Sequence, residues 1–236
     1  MIITKVTLEE QAMHVVELAI SLIAPHTCVN CGSSEAVLCD ECLVGLKDPE
    51  ISRCVYCNTL TQDNKTCGSC RRTHPLQHIW STSNYLKAET AIQAYKFGRV
   101  RELYKPIASE MAIIIPYSDY DYIVAVPTAP RRIRVRGYDQ AELLAKQIAE
   151  LTNTKALQPL FHSGSKRQLG SRRDARFMQA HQSYQLKRGV DLTNRRILLV
   201  DDVVTTGATL SACAQRLKSA GARSVDGLVF ARRSRK

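Results

Sequence analysis

Residues 197–209, with the sequence Ile-Leu-Leu-Val-Asp-Asp-Val-Val-Thr-Thr-Gly-Ala-Thr, constrain the fold of this chain more than any other stretch. The first four residues form an apolar run without polar alternation, which is typical of a strand buried on both faces of a parallel sheet. Two carboxylates, Asp201 and Asp202, follow directly, and residues 210–220 are predicted to form a helix. Strand, acidic pair, hydroxyl-rich loop and helix N-terminus thus occur in a single βα turn.

The loop after the acidic pair has the composition of an anion-binding turn. Residues 205–209 contain three threonines and one glycine, and a helix that starts there offers unpaired N–H groups and a partial positive charge. The adjacent carboxylates can accept hydrogen bonds from two sugar hydroxyls. The stretch therefore predicts a site for a ribose 5-phosphate, against the alternative of an ordinary buried strand with an acidic turn. Neither a G-x-x-x-x-G-K-[ST] loop nor a G-x-G-x-x-G turn occurs in the chain.

This order of strand, acidic pair and loop resembles the signature of type I phosphoribosyltransferases. In that signature the acidic pair holds the ribose hydroxyls of phosphoribosyl pyrophosphate (PRPP), and the Thr/Gly loop holds its 5-phosphate. The resemblance implies that PRPP, bound with Mg²⁺, is held by nine consecutive residues, namely Asp201, Asp202, Val203, Val204, Thr205, Thr206, Gly207, Ala208 and Thr209.

Eight of the nine cysteines form four Cys-x-x-Cys pairs within residues 28–70. Such a knuckle places two thiolates on one tight turn, and two knuckles complete a tetrahedral Zn²⁺ site. Disulfides are the alternative, but paired knuckles are not the usual spacing of a disulfide framework. The sequence predicts two structural zinc ions, held by Cys28, Cys31, Cys39, Cys42, Cys54, Cys57, Cys67 and Cys70.

The knuckles can pair in two ways. Consecutive pairing gives two small ribbons in tandem, whereas alternate pairing gives a cross-braced module. We favour the tandem form because each loop between consecutive knuckles is short and closes at little entropic cost. Bound metal would supply much of the folding free energy of so small a module, and we expect its core to be separate from that of the remaining chain. His74 and His78 are expected at a surface or interface rather than on a metal.

The net charge of +11 is confined to the last third of the chain. Residues 1–160 hold equal numbers of basic and acidic side chains, whereas residues 161–236 hold 16 basic against five acidic ones. This distribution favours a polyanionic ligand, a nucleic acid, or both. Single-stranded DNA is therefore a candidate partner, with an affinity that falls with salt and with competition from PRPP. The basic tail at residues 232–236 is interpreted as a solvated end.

The first 24 residues place apolar side chains at helical spacing, with Glu9, Glu10 and Glu17 among them. This pattern predicts an amphipathic helix that packs on the rest of the chain, and it does not match an export signal. No apolar stretch approaches the roughly 20 residues that span a bilayer. We therefore expect a cytoplasmic protein without membrane insertion.

From residue 76 onward, apolar runs alternate with helical patterns. Strands are expected at residues 78–85, 121–127, 157–161, 196–201 and 225–231, and helices at residues 88–97, 102–115, 138–151 and 210–220. This alternation predicts an α/β fold with a mostly parallel sheet flanked by helices. The expected division is an N-terminal helix at residues 1–24, a double zinc ribbon at residues 25–75 and a phosphoribosyltransferase-like domain at residues 76–236.

Two arginine-rich segments are expected beside the ligand. Arg131, Arg132 and Arg136 follow the second strand in a proline-containing loop, at the strand end where ligands of open α/β sheets bind. Residues 164–182 form a long polar segment in which Arg172 and Arg176 are candidates to close over the site. These arginines would stabilise the charge of a leaving diphosphate.

Zinc knuckles before a phosphoribosyltransferase-like domain resemble the bacterial ComF/GntX family. The resemblance includes residues 136–140, Arg-Gly-Tyr-Asp-Gln, where the family has Arg-Gly-Phe-Asn-Gln. Lys96 and Phe97 resemble a Lys-Phe pair of the family, although a solvated lysine at a helix end is the alternative. Gln168, Arg176 and Tyr184 also match. The resemblance implies a PRPP-binding protein associated with DNA uptake in natural transformation, with a competence helicase or another DNA-uptake protein as a candidate partner.

Two functions from different classes are open at this point. As an enzyme, the protein would transfer the phosphoribosyl group of PRPP to an acceptor through an oxocarbenium-like transition state, although no general base for the acceptor is evident. As a binding or regulatory protein, it would sense PRPP or a phosphate on nucleic acid. The zinc ribbons and basic surface would then hold single-stranded DNA or a partner protein. The motifs do not specify the acceptor.

Overall fold

The structure is a computed structural model that describes residues 27–34, 36–48, 52–116, 120–164 and 183–233. The expected N-terminal helix lies outside these residues. So do Gln168, Arg172 and Arg176 of the long polar segment. Within the described ranges, no helix is both long and apolar enough to cross a membrane.

Eight helical segments and seven strands make up the described chain. The helices are α1 (Asp40–Leu46), α2 (Gly68–Arg71), α3 (Tyr85–Lys96), a 3₁₀ turn (Arg101–Leu103), α4 (Tyr104–Ile113), α5 (Pro130–Arg136), α6 (Gln140–Leu151) and α7 (Ala208–Ser219). The strands are β1 (Ile79–Asn84), β2 (Tyr122–Ala125), β3 (Lys155–Leu157), β4 (Leu160–His162), β5 (Tyr184–Leu186), β6 (Arg196–Val204) and β7 (Ser224–Arg232).

Five of these strands form one sheet in the order β1-β7-β6-β2-β3, and every pairing in it is parallel. Strands β4 and β5 form a separate antiparallel pair. The predicted parallel sheet flanked by helices is therefore confirmed. Because parallel strands end at the same edge, the acidic residues late in β6 lie beside the carboxyl end of β2.

Strand β6 is buried on both faces, as its uninterrupted apolar run predicts. Leu198 and Val200 belong to one buried cluster, whereas Ile197 and Leu199 belong to the other. All four side chains have no measurable exposure. The strand extends beyond its expected end at residue 201 and includes both carboxylates of the acidic pair.

The expected single strand at residues 157–161 is wrong. The chain instead ends β3 at Leu157 and starts β4 at Leu160, and these two strands belong to different sheets. Pro159 explains the break, because proline has no N–H to donate to a β-ladder. The β4–β5 pair that follows stands beside the carboxyl edge of the main sheet and contributes His162 and Tyr184 to the cleft described below.

The cysteine-rich segment shares its core with the sheet, so the expectation of a separate core is wrong. Leu38 and Leu43 belong to the same buried cluster as Val200, and Val55 and Tyr56 belong to the same cluster as Leu199. Val200 and Leu199 point to opposite sides of β6. The two halves of the cysteine-rich segment therefore pack against opposite faces of the sheet.

Candidate functional site

The eight paired cysteines form two compact clusters. The first contains Cys28, Cys31, Cys39 and Cys42, and the second contains Cys54, Cys57, Cys67 and Cys70. Within each cluster all four Sγ atoms lie within 4.8 Å of one another. The Sγ atoms of Cys31 and Cys39 are 3.6 Å apart, and those of Cys57 and Cys67 are 3.4 Å apart. Consecutive knuckles therefore pair, which confirms the tandem arrangement, and the spacing suits a tetrahedral ion with Zn–S bonds of about 2.3 Å.

The thiol pKa values in each cluster favour a bound cation. The Ser69 hydroxyl and the Cys70 N–H lower the pKa of Cys67 to about 6. Burial and the neighbouring Cys67 sulfur raise the pKa of Cys70 to about 12. In the first cluster, burial opposes ionisation of Cys28, but N–H groups led by that of Cys39 bring its pKa to about 6. One thiol of a cluster thus ionises readily, and its negative charge disfavours ionisation of the next thiol. A bound divalent cation neutralises that charge and allows further thiols to ionise.

We expect protein purified without added zinc to contain about two equivalents of Zn²⁺ per chain, one in each cluster. Elemental analysis against protein concentration measures this ratio directly. A Cys213→Ser variant is the matched control, because Cys213 is buried in α7 outside both clusters. One equivalent or none in the folded wild-type protein would contradict the assignment.

The acidic pair lies near the carboxyl end of β6. Asp202 is buried, and its Oδ2 lies 2.9 Å from Nζ of Lys96, the last residue of α3. The Lys96 side chain is only 18% exposed, so it is not a solvated helix-end lysine. Asp201 accepts the backbone N–H of Asp202 at 2.8 Å. Among the described residues, none forms an ion pair with Asp201.

Two adjacent carboxylates therefore share one cation. Burial, followed by the charge of Asp202, raises the pKa of Asp201 well above its usual value, and the Lys96 ammonium acts in the opposite direction. A buried pair with excess negative charge is costly for the folded protein. The pair is also suited to a ligand that brings positive charge or hydroxyl donors to the Asp201 carboxylate.

The loop between β6 and α7 has the conformation expected of an anion-binding turn. Gly207 has a φ angle of 74° and is the N-cap of α7, whose first residue is Ala208. The Ala208 N–H donates to Thr206 Oγ1 at 3.3 Å. The next N–H groups of the helix start face the region where an anion would bind. Val203 and Val204 are instead part of β6, and the Val204 side chain is buried in the core.

A cleft at this edge of the sheet brings many of the predicted residues together. Its lining includes Lys96, Asp201, Asp202, Thr209, Arg132 and Arg136. The arginines lie on helix α5, and the expectation that they occupy a loop is wrong. Pro130 at the helix start explains this, because a missing N–H costs nothing in the first turn. Arg131 is exposed and does not line the cleft.

Gln140 is a cleft residue that sequence reasoning did not assign a role. It starts α6 and is 1% exposed. Its Oε1 accepts a hydrogen bond from Arg136 Nη1 at 3.0 Å, whereas its Nε2 has no hydrogen-bond partner among the described residues. A buried amide donor without a partner costs free energy unless a ligand accepts from it. Its position four residues after Arg136 gave no sign of this burial.

His162 in β4 was also missed, and Tyr184 was identified only through the family resemblance. The two rings meet edge to face with centroids 5.2 Å apart, and both residues line the cleft. Burial, followed by the charge of Arg132, lowers the pKa of His162. The His162 Nδ1 accepts the Gly164 N–H at 3.1 Å, which leaves the proton of the neutral ring on Nε2. His162 is therefore a hydrogen-bond donor toward the cleft.

Asp139 stands where the ComF/GntX motif has asparagine, and its carboxylate organises the loop after β2. It accepts the Thr128 N–H at 3.1 Å and the Thr128 hydroxyl at 2.9 Å, and it caps α6 by accepting the Glu142 N–H. These bonds partly offset its burial, which raises the pKa of Asp139. The substitution thus retains the acceptor functions of an asparagine side chain.

The second cysteine cluster packs directly behind residues 205–207, the predicted anion-binding turn, which we name the phosphate loop. A Cβ atom added at Gly207 would lie 3.1 Å from Tyr56 Cε1, so the Tyr56 ring occupies the space beside that residue. Tyr56 stacks on His74 with ring centroids 3.7 Å apart, and His74 Nδ1 lies 3.3 Å from the Ser211 hydroxyl of α7. The contact involves residues far apart in sequence, and no local pattern predicted it.

The chain is similar to known proteins both in its C-terminal part and over most of its length. Residues 138–236 match the family model described as "Phosphoribosyl transferase domain". Most of the chain also aligns with Competence protein ComFC of Streptococcus pneumoniae, at 26% identity over 84% of this chain and 96% of that protein. The chain is thus similar to a ComF protein over most of its length. The resemblance to the ComF/GntX family inferred from the sequence is thereby confirmed.

Further relatives carry a different name. DNA utilization protein YhgH of Escherichia coli is 25% identical over 80% of this chain and 93% of that protein. Among solved structures, the allosteric regulatory enzyme of purine biosynthesis is 20% identical over 53% of this chain and 25% of that chain, with a TM-score of 0.38. An adenine phosphoribosyltransferase is 13% identical over 57% of this chain and 73% of that chain, with a TM-score of 0.37.

Proposed function

We propose that this protein binds PRPP together with Mg²⁺ in the cleft at the carboxyl ends of β2 and β6, and that it acts in the uptake or use of DNA. The observation that carries the first part is the acidic pair, in which Asp202 is buried and paired with Lys96, whereas Asp201 has no ion-pair partner among the described residues. The second part is supported by the relatives named competence protein and DNA utilization protein.

The cleft offers a separate partner for each part of PRPP. The N–H groups behind Gly207 suit the 5-phosphate, because a helix N-terminus stabilises an anion. Asp201 and Asp202 can accept from the two ribose hydroxyls. The diphosphate, which carries the largest charge, would be bound by Arg132 and Arg136. Gln140 Nε2, which has no hydrogen-bond partner among the described residues, is a further donor to a diphosphate oxygen.

These residues can also serve a phosphoribosyl transfer. Breaking the bond between the anomeric carbon and the diphosphate places negative charge on the leaving group, and the guanidinium groups of α5 stabilise that charge. Bound Mg²⁺ would neutralise further charge on the diphosphate. The acidic pair would hold the ribose in place while positive charge develops at its anomeric carbon.

A non-catalytic role is the second candidate, and one observation favours it. His162 is the imidazole that lines this cleft among the described residues, and its Nδ1 already accepts the Gly164 N–H. The remaining ring nitrogen of the neutral side chain carries a proton, so His162 donates and cannot remove a proton from an acceptor. Asp139 is likewise engaged by Thr128 and the start of α6. A PRPP-responsive binding protein would need no such base.

Calorimetric titration with PRPP, with and without Mg²⁺, tests the proposal. We expect saturable 1:1 binding that strengthens by about tenfold or more with Mg²⁺, because the cation relieves the repulsion between the diphosphate and the acidic pair. Ribose 5-phosphate should bind more weakly because it lacks the diphosphate. If PRPP binds neither with Mg²⁺ nor without it, the proposed PRPP site is refuted.

A pyrophosphate-release assay on the same protein then separates the two candidate functions. It should be run with nucleobases and with single-stranded DNA as acceptors. Pyrophosphate release that depends on one of these acceptors would establish that the protein is a phosphoribosyltransferase. Tight PRPP binding without release in any arm favours the binding or regulatory protein.

A further inference from the structure

A second cleft opens at the opposite edge of the sheet, where β1, β6 and β7 begin. Its lining includes His78, Trp80, Tyr120, Arg196, Arg223 and Asp226, and its volume is about 900 Å³. A space of this size accommodates an ordinary small-molecule ligand. Arg196 starts β6, and Asp201 lies five residues further along it, roughly 17 Å away. This amino-end cleft is therefore separate from the cleft proposed for PRPP at the carboxyl ends of β2 and β6, which we name the PRPP cleft.

Asp226 holds the imidazole of His78 in a fixed orientation within the amino-end cleft. Its Oδ1 accepts both the His78 backbone N–H at 3.0 Å and the ring Nδ1–H at 2.9 Å, and its Oδ2 accepts the Tyr120 hydroxyl at 3.0 Å. An ionised carboxylate only accepts hydrogen bonds, so the proton between the two side chains belongs to Nδ1. The ring is thus held on one side, and Nε2 is its remaining polar atom.

His78 also forms the solvent-facing end of an aromatic stack. Its ring lies nearly parallel to that of Trp80, with centroids 5.1 Å apart and an angle of 14°. Trp80 is 9% exposed, whereas the His78 side chain is 24% exposed. A planar heterocycle can extend such a stack from the exposed face of the imidazole, as nucleobases do on aromatic side chains.

Two arginines of the amino-end cleft form no ion pair with a carboxylate among the described residues. Lys65 pairs with Asp63 at 3.4 Å, and Asp226 is engaged by His78. No ion pair joins Arg196 or Arg223 to a carboxylate within the part of the chain that the structure describes. Two guanidinium groups that line one cleft favour a phosphate there, because each presents a fork of N–H donors.

We propose that the amino-end cleft binds a nucleotide, with its base stacked on His78 and its phosphate bound by Arg196 and Arg223. The ligand chemistry is a heterocycle and a phosphate joined by a sugar. A free mononucleotide and one unit of a single-stranded nucleic acid both present that chemistry. Neither source requires the PRPP cleft, so this site functions independently of the acidic pair.

Trp80 is the single tryptophan of the chain, so its fluorescence reports on this cleft. Titration of the full-length zinc-loaded protein with AMP, in the presence of saturating Mg²⁺ and PRPP, should quench that fluorescence to saturation. Adenosine and inorganic phosphate should each bind about tenfold more weakly or worse, because each lacks one half of the ligand. Excitation at the red edge of the tryptophan band avoids absorption by adenine.

An Arg223→Glu variant should lower the AMP affinity by about tenfold or more. Arg188→Glu is the matched control, because Arg188 is an exposed arginine that does not line the cleft. A single-stranded oligonucleotide provides the second arm. Tighter binding than AMP, weakening by about 0.7 units of log K per unit of log salt for each phosphate neutralised, identifies a nucleic-acid strand as the ligand. Equal or weaker binding identifies the free nucleotide.

Three results would overturn the proposal. The first is unchanged Trp80 fluorescence with both AMP and the oligonucleotide. The second is an equal loss of affinity in the Arg223→Glu and Arg188→Glu variants, which would indicate a general charge effect. The third is AMP binding that occurs only when PRPP is omitted, which would assign the ligand to the other cleft.

Discussion

Replacing Cys54 with serine will weaken PRPP binding by about tenfold, a typical allosteric coupling, although Cys54 does not line the PRPP cleft. Cys54 is completely buried, and the next two residues, Val55 and Tyr56, pack against Gly207 of the phosphate loop. A missing sulfur ligand abolishes the tetrahedral zinc site, and such small modules fold only with their metal. The Tyr56 ring then loses its fixed position, and the phosphate loop loses its support.

A second contact strengthens this expectation. Arg232, at the end of β7, donates from Nη1 to the Arg53 carbonyl at 2.7 Å and from Nη2 to the Cys54 carbonyl at 3.2 Å. The backbone of the second cysteine cluster is thus held by the same sheet that carries the acidic pair. If the cysteine-rich segment had a core separate from the sheet, Cys54→Ser would not change the PRPP affinity. The PRPP affinity of this variant therefore discriminates between a separate core and a shared one.

Calorimetry on Cys54→Ser and Cys31→Ser tests the coupling, with circular dichroism and zinc analysis on both proteins. Each variant should lose one zinc, but only Cys54→Ser should lose PRPP affinity, because the first cluster packs on the opposite face of the sheet. If Cys54→Ser does not fold, Tyr56→Ala removes the same contact, and Tyr56→Phe should restore most of the affinity. Equal PRPP affinities in wild type and Tyr56→Ala would refute the coupling.

Asp201→Asn should raise the melting temperature of the free protein at neutral pH while it lowers the affinity for PRPP and Mg²⁺. The lost contact to a charged group should cost about 1.5 to 3 kcal/mol of binding free energy, or roughly tenfold or more in affinity. The gain in stability has a separate cause. Burial and the charge of Asp202 raise the pKa of Asp201, so its ionised form is unfavourable in the folded state.

The pH dependence follows from the direction of that shift. A carboxyl group with a raised pKa binds its proton more tightly in the folded protein than in the unfolded chain. Its contribution to stability therefore falls as pH rises from the unfolded pKa through the folded one. Above both values the charge destabilises the fold, and asparagine removes that cost. The difference in melting temperature between the variant and wild type should accordingly shrink below the unfolded pKa.

Thermal melts from below the unfolded carboxyl pKa to neutral pH check the gain in stability, and calorimetry with PRPP checks the loss of affinity. Asp191→Asn is the control, because Asp191 is exposed and the Thr193 hydroxyl lowers its pKa, which is the opposite direction. That variant should not gain stability at neutral pH and should bind PRPP as wild type does. A lowered melting temperature in Asp201→Asn with unchanged PRPP affinity would assign Asp201 to structure instead.

Local sequence patterns predicted the parts of the site that neighbouring residues determine. The apolar run before Asp201 specifies a doubly buried strand, and Gly207 suits a left-handed turn. The cysteine knuckles pair as their short loops suggest. Helix α5 was predicted as a loop because none of its residues is buried, so its sequence has no apolar stripe to reveal a helix.

The remaining parts depend on contacts between distant segments. Lys96 meets Asp202 across the sheet edge, and Tyr56 meets Gly207 behind it. Neither pair is visible as a spacing in the sequence. The partial burial of His162 likewise depends on the β4–β5 pair, which forms after Pro159 separates β4 from β3, two strands that were predicted as one at residues 157–161.

The position of β7 imposes an order on biogenesis. This strand is the last described element of the chain, yet it lies between β1 and β6 in the sheet. On the ribosome, β1 and β6 therefore emerge with open edges and cannot be joined until β7 leaves the exit tunnel. The cysteine knuckles are synthesised far earlier and can acquire metal on the nascent chain. The contact of Arg232 with the second cysteine cluster must wait until β7 has emerged.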